Sequence, residues 1–250
     1  MLLNFDTSIG AAYSSNSQRI RVISEKWTSE NIYCPACGEQ VRNFENNRPV
    51  ADFYCPKCNE QFEQKAKKGN FANKVLGGQY DQMIARLSST DKPNFFFLQY
   101  LNTMSVSDFF VVPKYFFTPE IIEKRKPLEE TARRAGWVGS NILLPKSGQI
   151  FYIQNERIIE KKIVLEEWRK RVFVSKVKPE SKGWLIDVMN CVEEIEGREF
   201  SLKEMYEFEE VLSQLHPENN FVRDKIRQQL QYLRDKGFIE FLERGKYRKL

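Results

Sequence analysis

Apolar residues recur at spacings of three and four at Ile20, Ile23 and Trp27. That period predicts a helix over about 16–31, with Ser15 or Ser17 as its cap. Alternation then shortens, and strands are expected at Val50–Tyr54 and Gln61–Lys67, joined by the turn Cys55-Pro56-Lys57-Cys58. A second stripe, Tyr80, Met83, Ile84 and Leu87, predicts a helix around 74–88. The run Phe95–Leu98 is continuously apolar and short, the pattern of a buried strand, with Ser107–Val112 as its neighbour. Thr118-Pro119-Glu120 opens a short helix, with Thr as cap and Pro in the first turn. A polar loop containing Arg and Gly follows at 126–140, then strands at 141–144 and 149–153 and a helix near 163–173.

Ser175–Gly183 is polar and contains Pro and Gly, so the domain boundary is placed there: residues 1–182 in one domain and 183–250 in another. The second domain has a helix at about 184–195, ended by Gly197. The capping box Ser201-Leu202-Lys203-Glu204 opens a second helix to about 212. Asn219 or Asn220 caps a third, 221–236, with Val222, Ile226, Leu230 and Leu233 on one face. A hairpin, Phe238–Leu242 with Lys246–Leu250, turns at Arg244-Gly245. Three helices and a two-stranded wing make an α/β winged helix-turn-helix, in which the second helix of the helix-turn-helix enters the major groove. Gln228, Gln229 and Gln231 suit adenine edges. Arg223, Lys225 and Arg227, with Lys246, Arg248 and Lys249 of the wing, suit phosphates. The plain alternative is an amphipathic helix with solvated Arg and Gln.

The 250 residues carry 39 Lys+Arg against 34 Asp+Glu, one His and five Cys. No apolar run reaches the roughly 20 residues of a membrane helix. The N-terminus has neither a basic region nor a long apolar stretch, so a cytoplasmic protein with reduced cysteines is expected. The single histidine, His216, precedes a proline in a polar loop and is expected to be a plain surface residue; histidine-based acid–base catalysis is disfavoured. Charge is uneven: residues 1–182 carry 28 basic and 20 acidic side chains, 183–222 carry 2 and 10, and 223–250 carry 9 and 4. Two basic surfaces for a polyanion would then flank an acidic stretch that faces away from it.

Cys34-Pro35-Ala36-Cys37 and Cys55-Pro56-Lys57-Cys58 are two knuckles with 17 residues between them. Each two-residue spacer aims two thiolates at one ion, and four thiolates fill a tetrahedral zinc site with no open position, so the zinc is structural. Cys191 is spaced as a buried small hydrophobe of a helix.

Strand alternation puts Glu63, Lys65 and Lys67 on one face, and the hairpin brings Asp52 beside Glu63 and Lys65. Phosphodiester hydrolysis needs a hard cation held by carboxylates, a group that orients the attacking water, and positive charge for the transition state. Asp52 and Glu63 would hold Mg²⁺ with the Gln64 backbone carbonyl, and Lys65 would position the nucleophile. The alternative is a surface ion pair of about 0–1 kcal/mol.

Several runs carry a resemblance over essentially the whole chain. They are Asn43–Cys55, Lys67–Phe71, Thr131–Trp137, Lys225–Gln231 and Arg244–Lys249. The sequence resembles the DpnI type of methyl-directed restriction endonuclease. That resemblance implies an α/β (α+β) PD-(D/E)xK restriction-endonuclease-like catalytic domain followed by a winged helix. It implies cleavage of double-stranded DNA at Gm6ATC with Mg²⁺, and Asp52, Glu63 and Lys65 fall on the catalytic motif with Gln64 at its variable position. Ala51 stands where the wider superfamily often has Pro. Trp137, beside Arg133 and Arg134, is either a core tryptophan or a flat apolar surface for base-edge methyl groups. The resemblance assigns it the second role, and makes the winged helix an independent reader of methylated sites. A monomer without an obligate protein partner is expected. Two other readings remain: a zinc-ribbon and winged-helix DNA-binding regulator without catalysis, and a repair or structure-specific nuclease indifferent to methylation.

Overall fold

The computed structural model describes residues 1–44, 51–71, 73–89 and 92–250. Contacts divide it into two units, Met1–Leu144 with Gly148–Arg169, and Pro145–Ser147 with Lys170–Leu250.

In the first unit, α1 (Asn16–Asn31) precedes β1 (Arg42–Asn43), β2 (Phe53–Tyr54), β3 (Gln61–Lys68), β4 (Lys74–Gln79), α2 (Tyr80–Ser88) and β5 (Asn94–Tyr100). Then come β6 (Val106–Val112), β7 (Ile122–Lys124), β8 (Gly139–Leu143), β9 (Ile150–Gln154), β10 (Arg157–Ile158) and α3 (Lys161–Arg171). Seven strands form one sheet in the order β1-β2-β3-β5-β6-β9-β10. Only the β3–β5 pair in it is parallel, with Glu63 opposite Phe95 and Lys65 opposite Phe97. A parallel pair needs a long crossover, and β4 with α2 supplies it.

The aromatic run of β5 is the centre of the core: all seven of its residues are buried. Phe96 stacks on Phe62 of β3 at 4.4 Å, and Phe97 on Phe110 of β6 at 5.1 Å. Such offset ring pairs add about 0.5–1.5 kcal/mol beyond burial. Trp27 of α1 packs 5.7 Å from Phe109, and its indole N–H donates to the Leu2 carbonyl at 2.7 Å. The two buried hydroxyls of α1 are also paired. Thr28 Oγ1 donates to Gln64 Oε1 at 2.6 Å, and Gln64 Nε2 donates to Ser24 Oγ at 3.0 Å. The middle residue of Glu63-Gln64-Lys65 therefore pins α1 to β3.

Two expectations change here. Residues 74–88 are a strand then a helix, not one helix. Gly77-Gly78 is poor helix sequence, and β4 pairs instead with β8, where a Cβ on Gly77 would collide with Ser140 Oγ. The strands expected at 141–144 and 149–153 are both present, β8 in a separate sheet of order β4-β8-β7 and β9 in the large one. Thr118 precedes a single 3₁₀ turn, Pro119–Ile121, without a side-chain cap bond. In the strand expected at Val50–Tyr54, Phe53 and Tyr54 are paired, and Val50 lies outside the described residues.

The second unit contains α4 (Pro179–Glu194), β11 (Glu199–Ser201), α5 (Leu202–Tyr206), α6 (Glu209–Leu215), α7 (Val222–Asp235), β12 (Ile239–Glu243) and β13 (Lys246–Lys249). The sheet order β11-β13-β12 with the helices α4 to α7 is a winged helix-turn-helix. The polar stretch expected as a linker is partly helical, because Pro179 opens α4 five residues early, at the position where proline is tolerated. The capping box is present: Ser201 accepts the Glu204 N–H, and Glu204 Oε2 accepts the Ser201 N–H at 2.7 Å. The helix it opens breaks after Tyr206 and resumes as α6. Asn219 Oδ1 accepts the Phe221 N–H at 2.8 Å, so it shapes the turn, and Phe221 takes the N-cap position of α7. His216 is not a plain surface residue. Its ring stacks on Trp184 at 4.0 Å, and Nε2 lies 2.7 Å from Asp187 Oδ2. Cys191 is buried in α4, and burial pushes its thiol up to about 12.

Candidate active site and metal centre

Asp52 lies just before β2, where its own N–H donates to the Phe62 carbonyl of β3 at 2.9 Å. Its Oδ2 accepts the Gln64 backbone N–H at 2.7 Å. Glu63 and Lys65 follow on β3, and Lys65 Nζ donates to Glu63 Oε1 at 2.6 Å. All three line one cleft of about 830 Å³. Burial holds the Asp52 carboxyl above the usual carboxylate range, and the Glu63 charge adds to this against the Gln64 N–H, Arg21 and Lys65. Two half-buried carboxylates facing each other are a repulsion that a divalent cation relieves.

The cleft contains charged side chains that sequence pattern alone does not single out. Glu25 of α1 faces Asp52; burial and the Asp52 charge raise its carboxyl while Arg21 lowers it. Arg21 bridges Glu25 at 2.6 Å and Asp52 at 3.5 Å. Arg86 of α2 brings a guanidinium nitrogen 2.6 Å from Glu63 Oε2, in a charge contact. That buried oxygen nevertheless receives no aligned hydrogen bond. Helical period could have flagged Arg21 and Glu25 as neighbours four apart. Nothing local ties Arg86 to Glu63, because the contact forms across the crossover.

The donor set fits a hard cation: carboxylate oxygens from Asp52 and Glu63, one of them without an aligned donor. The Gln64 side chain is committed to α1, which leaves its backbone carbonyl as the group it can offer.

The four knuckle cysteines converge. Cys34 and Cys58 sulfurs lie 3.5 Å apart, Cys37 and Cys55 sulfurs 3.3 Å, and all four lie within 4.8 Å. These values bracket the ~3.8 Å sulfur separation of a tetrahedron with Zn–S bonds of ~2.3 Å. Both knuckles fold alike. The first Cys carbonyl accepts the N–H of a left-handed residue four along, Gly38 (φ +79°) or Asn59 (φ +60°). Four close thiols can hold a structural zinc that staples the β2–β3 hairpin to the segment after α1. Among the described residues, no other group of three or more His, Cys, Asp or Glu ligand atoms gathers this tightly.

Trp137 is half-buried, while Arg133 and Arg134 are exposed. The loop is cross-braced: Leu128 N–H donates to the Trp137 carbonyl and Gly136 N–H to the Leu128 carbonyl, both at 3.0 Å. The indole lies against Gly139, where an added Cβ would sit 2.6 Å from the ring. None of Arg133, Arg134 or Trp137 lines the Asp52 cleft. The tryptophan is neither a core residue nor part of the cleft; it is a partly exposed face on a braced loop.

On α7, Gln228 and Gln231 are exposed, but Gln229 is turned inward at 7% exposure. The helical period puts 226, 229, 230 and 233 on the core face, so Gln229 is removed from the base-reading set. Four of the six cations expected to meet phosphates are paired with acids. Arg223 meets Glu209 at 2.7 Å, and Arg227 meets Asp224 and the Tyr206 hydroxyl. Arg248 contacts Glu199 at 2.8 Å and Glu240 at 3.3 Å. Lys246 meets Glu243 at 2.6 Å, Lys249 Nζ donates to the Ile195 carbonyl at 2.6 Å, and Lys225 donates to Gln228 Oε1 at 2.8 Å. Glu199 and Glu209 belong to the acidic stretch expected to face away; in fact they lie against the basic residues they were to be separated from. No helix among the described residues is long and apolar enough to cross a membrane.

Comparison with known families agrees along both units. Residues 1–177 match the family described as DpnI, Dam-replacing family, and residues 180–249 match its companion, the Dam-replacing HTH domain. With a mixed α/β sheet domain, a four-cysteine cluster and a C-terminal helix-turn-helix all in place, the chain belongs to the DpnI-type, Dam-replacing family of methyl-directed restriction enzymes.

Proposed function

We propose that this protein is a type II endonuclease that hydrolyses double-stranded DNA at GATC sites methylated on adenine, using Mg²⁺. The observation that carries the reading is Asp52, Glu63 and Lys65 gathered in one cleft whose wall also bears Lys67, Lys68 and Lys74. Carboxylates with a lysine between two strands serve phosphodiester hydrolysis, and the flanking lysines suit the phosphates on either side.

In this reading Asp52 and Glu63 hold the cation with the Gln64 backbone carbonyl, and Glu25 adds a carboxylate behind Asp52. Bound there, Mg²⁺ supplies a more acidic water and offsets charge on the scissile phosphate. Lys65 releases Glu63 and turns its ammonium to the attacking water, where it orients the nucleophile. Gln64 keeps α1 and β3 in register, so the carboxylates do not drift apart. Trp137 offers a flat apolar face to methyl groups at base edges, with Arg133 and Arg134 on adjacent phosphates. The winged helix reads the site separately through Gln228 and Gln231, and its cations exchange their present partners for phosphates. The protein acts in the cytoplasm as a monomer, on residues 1–182 for cutting and 183–250 for binding.

The test is digestion, with Mg²⁺, of plasmid from an adenine-methylating host beside plasmid from a host without that methylation. Cutting of the first and sparing of the second is expected. Equal cutting would favour a methylation-indifferent nuclease, and binding without cutting a DNA-binding regulator.

A further inference from the structure

We propose that Arg86 is a positioning residue that guards Glu63 in the DNA-free protein, and that its hold is set from the Trp137 loop through α2. The proposal rests on the nuclease reading above.

Both oxygens of Glu63 are held by cations. Lys65 Nζ takes Oε1 at 2.6 Å, and Arg86 takes Oε2 at 2.6 Å. A metal ion competes with them for the charge of the carboxylate, and each oxygen can ligate only once its own cation has moved away. Lys65 sits two residues away on the same strand, so it leaves Oε1 by rotating its own side chain towards the attacking water, with no movement of β3. Arg86 comes from a different element, so its distance can change whenever α2 moves against β3.

The opposite end of α2 is tied to the methyl-reading loop. Tyr80, its first residue, donates its N–H to the Val138 carbonyl at 3.0 Å. Val138 lies between Trp137 and Gly139, the glycine on which the indole rests. The same tyrosine ring lies under the Lys124 ammonium at 5.2 Å, on the strand beside β8. The helix is only nine residues long. Tyr80 and Arg86 share this one helix, so a displacement of the helix as a body at Tyr80 also moves Arg86. Seating a methylated base against Trp137 would then draw the guanidinium from Glu63 and open the carboxylate to the ion. An unmethylated site would leave the guard closed. The freed guanidinium still lines the cleft and meets the phosphate there.

Titration of the full-length, DNA-free protein with Mn²⁺ alone, read from the electron paramagnetic resonance signal of the free ion, tests the guard. Mn²⁺ prefers oxygen ligands, so the cysteine cluster is silent. Arg86→Gln is expected to bind Mn²⁺ about tenfold more tightly than wild type, the order of one charged contact removed. Arg86→Lys, which keeps a shorter cation, should fall between them. Glu63→Gln should lose the binding. If Arg86→Gln binds no more tightly while Glu63→Gln loses binding, the guard is wrong and the nuclease reading survives. If Glu63→Gln binds like wild type, the metal assignment itself fails. The link to the loop is tested by cutting: the preference for methylated over unmethylated plasmid should fall about tenfold in Arg86→Gln. An unchanged preference alongside tighter Mn²⁺ binding would overturn the link.

Discussion

The backbone N–H of Gln64 donates to Asp52 Oδ2 at 2.7 Å, so the first carboxylate of the candidate site is anchored by the strand that carries the other two groups. Asp52 keeps Oδ1 for Arg21, or for a metal. Asp52→Ala should abolish cleavage while duplex binding remains, because the cations on the cleft wall and the winged helix are untouched. Cleavage retained in this variant, measured under single-turnover conditions, would remove Asp52 from the metal site.

The same residue opposes folding in the metal-free state. Burial raises its pKa above the unfolded value, so the folded state binds the proton more tightly. Stability therefore falls as pH rises through the window from the unfolded pKa to the raised one, and stays lower at neutral pH. Asp52→Asn should raise the stability of the first unit by ~1 kcal/mol at pH 7 and remove that pH dependence, while cleavage is lost. Thermal melts across pH, in magnesium-free buffer without chelator so that zinc stays bound, would show it. A lower melting temperature for the variant would mean that the Asp52 contacts outweigh its burial.

Trp137→Ala should erase the preference for methylated over unmethylated plasmid with little change in metal binding, since the indole lies outside the Asp52 cleft. Gly139→Ala should act the same way with the tryptophan in place, because its methyl would drive into the ring. Competitive digestion of the two plasmids measures both. A wild-type preference in Trp137→Ala would move methyl reading elsewhere.

The three glutamines of α7 should separate by burial. Gln228→Ala and Gln231→Ala should each weaken binding to a methylated duplex by about 1–3 kcal/mol at unchanged stability. Gln229→Ala should cost ~1–2 kcal/mol of stability, as a buried polar side chain does when removed. Binding isotherms paired with denaturant melts decide; a stability loss in the first two would place them in the core as well.

Cys55→Ser should release the metal and loosen the β2–β3 hairpin, so cleavage falls even though no cysteine enters the cleft. Elemental analysis should find a single zinc per chain in wild type. A zinc-free wild type that still cuts would overturn the staple.

Local pattern made much of this protein legible. The helix at 16–31 and the capping box at Ser201 follow from spacing and cap chemistry within a few residues. The two knuckles and Glu63-Gln64-Lys65 are equally local, since a turn or one strand sets their geometry. The burial of Gln229 is legible in the same way, since the period that puts Ile226 and Leu230 on the core face puts Gln229 there too.

Other features were decided by partners distant in sequence. Residues 74–79 became a strand because β8 was there to pair with them, and Ser140 leaves Gly77 no room for a side chain. Glu25 joined the carboxylates because Gln64 draws α1 onto β3. Arg86 reached Glu63 only after the crossover folded back. The sequence by itself determined which residues carry chemistry and which short segments hold them, because turns, caps and strand alternation act over a few residues. The tertiary structure alone decided which charges meet. Ion pairs form wherever packing brings side chains together, and no period in the chain encodes that distance.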